Sequence, residues 1–267
     1  MIEREDAGGV RVLTLRRPPA NTLDMPMCRA LEAAAREAGA DRTVRAVLLR
    51  SGLPKYFCAG LEPAALLGPG GRPRAALFES LLRMFRAWLD CPKPTVAAID
   101  GYALLGGCIL ALGCDFRFIA ARTGRMALSE VRLGLSPMPA VLARLTAVGV
   151  TPAGARQLVL KGRTLRAAEA FEAGLVDQVV QGGSCEEAAR AEASALAKLP
   201  PAAYGAVKRH LARAAAPDFE RLWRESLAEF PALAGSQEAR EALAAIAARG
   251  PRPGAREPRP GARGRKS

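Results

Sequence analysis

Runs and spacings of apolar residues divide the N-terminal part of the chain into a strand, a helix and a second strand. Val10 to Leu15 and Arg45 to Arg50 are predicted to be strands because apolar residues dominate both runs. Asp24 is placed to cap the helix between them, Pro26 falls in its first turn, and Gly39 is placed to end it. The chain is therefore predicted to open as strand, helix, strand.

Two glycine-containing loops, 52–60 and 68–74, are predicted next, and the second is expected to be mobile. A helix follows the second loop. One face of this helix is apolar and carries Leu77, Leu81, Phe85 and Trp88.

The pattern then changes to a strand, a glycine turn and an apolar helix. Pro94 to Asp100 is predicted to be the strand, Gly101 to Gly107 the turn, and Cys108 the start of the helix. The first turn of a helix has unpaired amides that favour negative charge. A further strand is predicted from Asp115 to Ala120.

The C-terminal half is predicted to be mostly helical. Helices are expected near 152–160, 167–173, 184–198 and 201–215, with one short strand at 174–180. A last helix, 219–248, is predicted to break near Pro231. This order of elements indicates an α/β protein in which helices accumulate toward the C-terminal end.

Composition supports one domain followed by a tail. The chain has 267 residues, half of them hydrophobic, which is enough for one sizeable core. No apolar run is long and uncharged enough to predict a membrane span, and the N-terminus lacks a signal sequence. We therefore expect a soluble protein in the cytoplasm of a bacterial source, with a domain over 1–249.

The net charge of +13 raises the question of nucleic-acid binding, but much of it lies in residues 250–267. That segment nearly repeats Pro-Arg-Pro-Gly-Ala-Arg and has no large apolar side chain, so it is predicted to be a disordered basic tail. It also lacks aromatic residues for base stacking. Only nonspecific nucleic-acid binding through the tail is expected.

The residue types typical of metal sites and disulfides are scattered. The six cysteines show no CxxC pair and lie among apolar residues, so they are interpreted as small buried hydrophobes. The only histidine, His210, has no metal-ligand spacing around it, and no phosphate-binding glycine motif follows a strand. No metal and no separate cofactor are expected.

Three segments together resemble the signature of the crotonase superfamily, the enoyl-CoA hydratases and isomerases. They are Lys-Pro-Thr-Val-Ala-Ala-Ile-Asp-Gly-Tyr-Ala-Leu-Leu-Gly-Gly-Cys at 93–108, Tyr-Phe-Cys-Ala-Gly-Leu-Glu at 56–62 and Glu-Val-Arg-Leu-Gly at 130–134. The resemblance covers roughly residues 10 to 250. It implies a crotonase-like spiral of β-β-α repeats with a C-terminal helical region, an acyl-CoA thioester as the substrate, and trimers or pairs of trimers.

The resemblance also implies an oxyanion hole and an acid/base. Its donors would be the backbone amides of Leu61, which follows Ala59 and Gly60, and of Gly106; without the combined motif, both glycine elements would be interpreted as tight turns. Glu130 lies among apolar neighbours, where desolvation should raise its basicity, and the resemblance makes it the proton shuttle. The alternative for Glu130 is an exposed loop glutamate.

The chain departs from the family's hydratases at Ile109, where they have a second catalytic glutamate. Hydration works best with two carboxylates, whereas moving a double bond from 3-enoyl-CoA to 2-enoyl-CoA needs one base. With Glu130 and an aliphatic Ile109 the chain is most similar to the Δ3,Δ2-enoyl-CoA isomerases of the superfamily, so the resemblance favours an isomerase that uses Glu130. A hydratase or another enolate reaction is the nearest alternative. A catalytically silent acyl-CoA-binding or RNA-binding protein is the alternative of another class.

Two further polar residues, Glu62 and Arg17, can each be interpreted in two ways, and Asp115 in one. Glu62 is either a rescue carboxylate or, by preference, a support for the loop behind the oxyanion hole. Arg17 is either a contact for a CoA phosphate or a solvated arginine. Asp115 is interpreted as structural, and the Leu-Ser-Pro-Met-Pro-Ala segment after Gly134 indicates a reshaped acyl pocket.

Overall fold

The chain alternates between two β-sheets. The computed structural model describes residues 1–67 and 71–249, without the side chains of 71, 72 and 249. The strands are β1 (Ile2–Ala7), β2 (Val10–Leu15), β3 (Ala46–Ser51), β4 (Tyr56–Cys58), β5 (Thr95–Ile99), β6 (Tyr102–Leu104), β7 (Phe116–Ala120), β8 (Arg125–Ala127), β9 (Thr164–Arg166) and β10 (Gln178–Val180). The larger sheet has the order β1-β2-β3-β5-β7-β10, and the smaller has the order β4-β6-β8-β9.

The alternation of strands gives the fold its spiral. β3, β5 and β7 are parallel neighbours in the larger sheet, and β4, β6 and β8, which follow them in the chain, are parallel neighbours in the smaller one. Each strand pair thus adds one strand to each sheet before the chain passes on. This is the α/β arrangement of β-β-α repeats expected from the resemblance.

The helices cover the sheets and accumulate toward the C-terminal end. They are α1 (Met25–Ala40), α2 (Pro63–Leu67), α3 (Gly71–Asp90), α4 (Gly106–Gly113), α5 (Pro139–Ala147), α6 (Pro152–Ala155), α7 (Ala167–Glu172), α8 (Cys185–Leu196), α9 (Pro201–Ala215), α10 (Phe219–Ala234) and α11 (Gln237–Arg249). A 3₁₀ turn spans Glu130–Leu133, and a π turn spans Arg156–Leu160. Among the described residues, no helix is long and apolar enough to cross a membrane.

The inner strands of the larger sheet are buried on both faces, which explains why they are almost continuously apolar. On one face Val12, Leu48 and Val96 pack against α8. On the other face Leu13 and Leu49 join the main core with α1 and α3. The predicted apolar face of α3, with Leu77, Leu81, Phe85 and Trp88, is buried in that core as expected.

Several predicted elements are confirmed with small shifts. Asp24 caps α1 by accepting a hydrogen bond from the Met27 amide (2.8 Å), as predicted. The helix continues one residue beyond Gly39, to Ala40. All six cysteines are buried and free, as expected. The predicted disordered tail lies outside the described residues.

Other predictions are wrong in detail. β1 was not predicted because its sequence is mostly charged, yet it pairs along its length with β2. The predicted loop 52–60 and turn 101–107 contain β4 and β6. Residues 71–74, predicted as loop, belong to α3, whereas 68–70 lie outside the described residues.

The C-terminal helices also differ from the prediction. The helix expected at 152–160 is divided into α6 and the π turn. Pro231 lies inside α10, and the break comes at Gly235 and Ser236, where the Ser236 hydroxyl accepts the Ala239 amide (3.1 Å) and caps α11. The side-chain cap, rather than the proline, fixes this boundary.

Candidate active site

Three chemically important segments lie at the carboxyl ends of three adjacent strands. Ala59 to Leu61 follow β4, Leu105 and Gly106 follow β6, and Glu130 follows β8. Because these strands are parallel, their carboxyl ends lie along one edge of the smaller sheet, which is the usual position of ligand sites in α/β proteins. The topology thus brings together the three segments that the sequence singled out.

The Leu61 amide is directed away from its own β-bridge. The Leu23 amide donates to the Gly60 carbonyl (2.8 Å), and the Glu62 amide donates to the Leu23 carbonyl (2.9 Å). In a parallel bridge the residue between those two groups presents its own N–H to the opposite side. Within residues 1–67 and 71–249, the Leu61 amide has no hydrogen-bond acceptor.

The Gly106 amide lies close to this segment, at the first position of α4. A Cβ atom added to Gly60 would lie 3.0 Å from the Gly106 nitrogen, and one added to Gly106 would lie 3.4 Å from the Leu61 nitrogen. Gly60 has φ of +89°, and its added Cβ would lie 2.9 Å from the Leu104 carbonyl oxygen, so glycine is required there. The two amides therefore lie side by side, as an oxyanion hole requires.

A backbone hydrogen bond and close packing hold the start of α4 in place. Leu105, just before the helix, has φ of +50°, an uncommon value for a leucine, and its amide donates to the Ala127 carbonyl (2.8 Å). A Cβ atom on Gly107 would lie 2.0 Å from the Cys58 carbonyl oxygen. Only glycine allows the end of β4 to approach α4 this closely.

Glu130 is a buried carboxylate with an unsatisfied oxygen. The residue is only 5% exposed, and its Oε2 has no hydrogen-bond partner among the described residues. Burial raises the pKa of Glu130 from 4.5 to about 7. The alternative of an exposed loop glutamate is therefore wrong, and the carboxyl group can both accept and return a proton near neutral pH.

Leu61, Gly106 and Glu130 line one cavity of about 610 Å³. Its walls are mainly apolar and include Ile109, which is 2% exposed. Among the described residues that line it, Glu62 and Glu130 are the only charged side chains. The cavity thus suits a largely apolar acyl group near two backbone donors and one buried carboxylate.

Glu62 is held by other side chains. Its Oε2 accepts hydrogen bonds from the Thr22 hydroxyl (2.6 Å) and from Arg17 Nη1 (3.3 Å). Arg17 also donates through Nη2 to Asp24 (2.9 Å) and through Nη1 to the Thr22 carbonyl (3.0 Å). These bonds favour the loop-supporting interpretation of Glu62.

Arg17 is not among the residues that line the cavity, and its expected contact with a CoA phosphate stays a prediction. Asp115 is structural, as interpreted, because it accepts hydrogen bonds from the Thr95 amide (3.0 Å) and from Lys208 Nζ (2.9 Å).

Several lining residues were not singled out from the sequence as site residues. Phe78 of α3 and Phe230 of α10 stack at 3.6 Å between ring centroids, while Leu243 and Ile246 of α11 complete the same wall. Their only signal was the apolar spacing typical of core helices. Helices α10 and α11 therefore pack over the cavity within this chain.

Comparison with known proteins agrees with this geometry. The sequence model of the enoyl-CoA hydratase/isomerase family matches residues 5–251. The chain belongs to the enoyl-CoA hydratase/isomerase family. A family relative, the carnitinyl-CoA dehydratase of Salmonella typhi, is 34% identical over 210 residues, which cover 75% of this chain and 76% of that protein.

Solved structures of the family share the fold. Human mitochondrial delta3-delta2-enoyl-CoA isomerase superposes with a TM-score of 0.85 at 24% identity, covering 91% of this chain and 95% of that one. The enoyl-CoA hydratase of Bacillus halodurans gives 0.83 at 24% identity, covering 92% and 99%. Pseudomonas aeruginosa DspI gives 0.75 at 29% identity, covering 83% and 90%. The fold is therefore crotonase-like, and it is shared by isomerases and hydratases alike.

Proposed function

We propose that this protein moves the double bond of a 3-enoyl-CoA thioester to the 2-position, with Glu130 as the single acid/base. The observation that supports this is the inequality of the two carboxylates in the cavity. Glu130 is buried with an unpartnered oxygen, whereas Glu62 is bound by Thr22 and Arg17. One free carboxylate suffices for a proton shuttle between two carbons.

In the proposed mechanism, Glu130 accepts the proton from C2 of the 3-enoyl thioester. The electrons form a dienolate whose thioester oxygen accepts hydrogen bonds from the amides of Leu61 and Gly106. Protonated Glu130 then delivers the proton to C4, which leaves the double bond between C2 and C3. A pKa of about 7 suits both steps, because the group changes protonation state at little free-energy cost near neutral pH.

A hydratase or dehydratase reaction is the second candidate, favoured by the 34% identity with carnitinyl-CoA dehydratase. Such a reaction must add or remove water at C3 while a proton moves at C2, and it benefits from a second acid/base. Ile109 cannot transfer a proton. Glu62 would have to leave Thr22 and Arg17 to take that role.

The deciding experiment compares three substrates with three proteins. Purified wild type, Glu130→Gln and Glu172→Gln are incubated separately with a 3-enoyl-CoA, a 2-enoyl-CoA and carnitinyl-CoA. Glu172 is an exposed glutamate of α7 and serves as the matched control. Conjugation of the 3-enoyl-CoA by wild type and the control, lost in Glu130→Gln, is the expected result.

Other outcomes point elsewhere. If hydration or dehydration exceeds conjugation, the isomerase proposal is wrong and Glu62 becomes the next residue to change. If none of the substrates reacts, the result supports the alternative of a catalytically silent protein that binds acyl-CoA or RNA. The homotrimer or dimer of trimers and the cytoplasmic location remain part of the proposal, to be checked by light scattering and by cell fractionation.

A further inference from the structure

The helix that carries the Gly106 amide is enclosed at both ends. All eight residues of α4 are buried. Its first residue, Gly106, lines the cavity, and its last carbonyl groups lie inside the protein, where they need donors. Whatever satisfies that C-terminal end also affects the position and the field of the N-terminal end.

Two arginines supply those donors. Arg144 of α5 donates through Nε to the Leu112 carbonyl (2.9 Å) and through Nη2 to the Cys114 carbonyl (3.0 Å). Arg117 of β7 donates through Nη1 to the same Cys114 carbonyl (2.8 Å). The guanidinium of Arg144 thus spans the Leu112 and Cys114 carbonyls at the end of α4.

The two arginines differ in their partners. Arg117 also forms an ion pair with Asp177 (2.9 Å), whereas Arg144 has no ion-pair partner among the described residues. Burial and the neighbouring Arg117 lower the pKa of Arg144 below its usual range. A partly buried cation that is unpaired in this way is costly, and its interaction with the end of α4 offsets that cost.

We propose that Arg144 is a positioning residue for the oxyanion hole, acting through α4 on the Gly106 amide. Its two hydrogen bonds fix the helix along its axis, so that the Gly106 amide stays beside the Leu61 amide. Its charge cancels the negative end of the helix dipole and leaves the positive end to act on the enolate oxygen. The proposal rests on the oxyanion hole of the proposed function.

The expected effect follows from the length of the helix. Eight residues at 1.5 Å each make α4 about 12 Å long, and a hydrogen bond of about 3 Å at each end places the guanidinium about 18 Å from the oxyanion position. At an effective dielectric constant of about 20, a unit charge at that distance changes the stability of an enolate by about fivefold. Substrate binding involves little charge development at this oxygen, so kcat should fall while KM stays within about twofold.

The test uses Arg144→Met, Arg144→Gln, Arg144→Lys and, as the matched control, Arg36→Met on the exposed face of α1. The readouts are kcat and KM for the 3-enoyl-CoA, and the enolate fraction of bound acetoacetyl-CoA from its ultraviolet absorbance. Near-ultraviolet circular dichroism and urea unfolding identify variants that are folded. Met and Gln should lower kcat and the enolate-to-keto ratio about fivefold, Lys should restore most of the loss, and the control should change neither.

Two results would overturn the proposal: folded Met or Gln variants with an unchanged enolate fraction, or a Lys variant as impaired as Met. If Met does not fold, Gln decides, because its amide can still donate to one carbonyl without a charge. The enolate readout does not require turnover. Wild type that stabilises the enolate but leaves 3-enoyl-CoA unreacted would refute the proposed function alone.

Discussion

Replacing Glu130 by glutamine should abolish turnover and at the same time stabilise the folded protein. The carboxylate is desolvated and its Oε2 has no hydrogen-bond partner among the described residues, so burial in the folded state raises the free energy of its ionised form. A folded pKa of about 7 against an ordinary 4.5 corresponds to about 3 kcal/mol of lost stability once the group is ionised in both states. Glutamine is nearly the same size and carries no charge.

The sign of the pH dependence follows from the raised pKa. Below about pH 4.5, Glu130 is protonated in both the folded and the unfolded protein, and wild type and variant should have similar stability. Between about 4.5 and 7 the unfolded chain ionises first, so wild type loses stability as the pH rises. Above about pH 7 the variant should be more stable by up to about 3 kcal/mol, or several degrees in Tm.

The assay is urea unfolding at pH 5, 6, 7 and 8 for wild type, Glu130→Gln and Glu62→Gln. Glu62 accepts hydrogen bonds from Thr22 and Arg17, so its substitution should cost stability rather than add it. The reasoning fails if the difference between wild type and Glu130→Gln does not grow with pH, or if Glu130→Gln is the less stable protein at pH 8.

Four further predictions concern activity. For isomerisation, kcat/KM should rise with pH and level off above about pH 7, because Glu130 must be ionised to accept the C2 proton; a flat profile from pH 5 to 8 would contradict this. Ile109→Glu should raise hydration of 2-enoyl-CoA at least about tenfold, measured by loss of enoyl absorbance, at a cost in thermal stability. Gly60→Ala should lower kcat by about 10²–10³, because φ of +89° and the Leu104 oxygen at 2.9 Å force the oxyanion loop to move; activity near wild type with normal unfolding would argue against the assigned donors. Replacing the basic residues of 250–267 by serine should remove salt-sensitive retention on nucleic acid without changing kcat.

The sequence predicted the long, strongly patterned elements and the chemistry at their ends. β2 and α3 are explicit in the apolar pattern, and Asp24 marks the start of α1. The three-residue strands of the smaller sheet were missed because three residues are too few to establish a period of two. They matter nevertheless, because the segments after β4, β6 and β8 carry the candidate site.

The polar parts of the site were easier to predict than its apolar walls. Glu130 and the glycine turns stand out as local sequence features, whereas Phe78, Phe230 and Leu243 look like ordinary core positions. Only tertiary packing assigns them to the cavity rather than to the interior. Likewise, the partners that hold Glu62 come from a loop about 40 residues earlier in the chain.

The alternation of strands between two sheets has a consequence for how activity appears during folding. Leu61, Gly106 and Glu130 belong to three successive turns of the spiral, so no single segment contains a working part of the site. Contacts of such sequence separation form late, after the loops between them have closed. A chain in which the third turn has not yet docked would have an exposed Glu130 of ordinary acidity, and the Leu105 amide beside Gly106 would lack the Ala127 carbonyl that holds it. Enolate stabilisation in this protein should therefore appear only when the whole spiral is complete, which makes it a sensitive indicator of native structure.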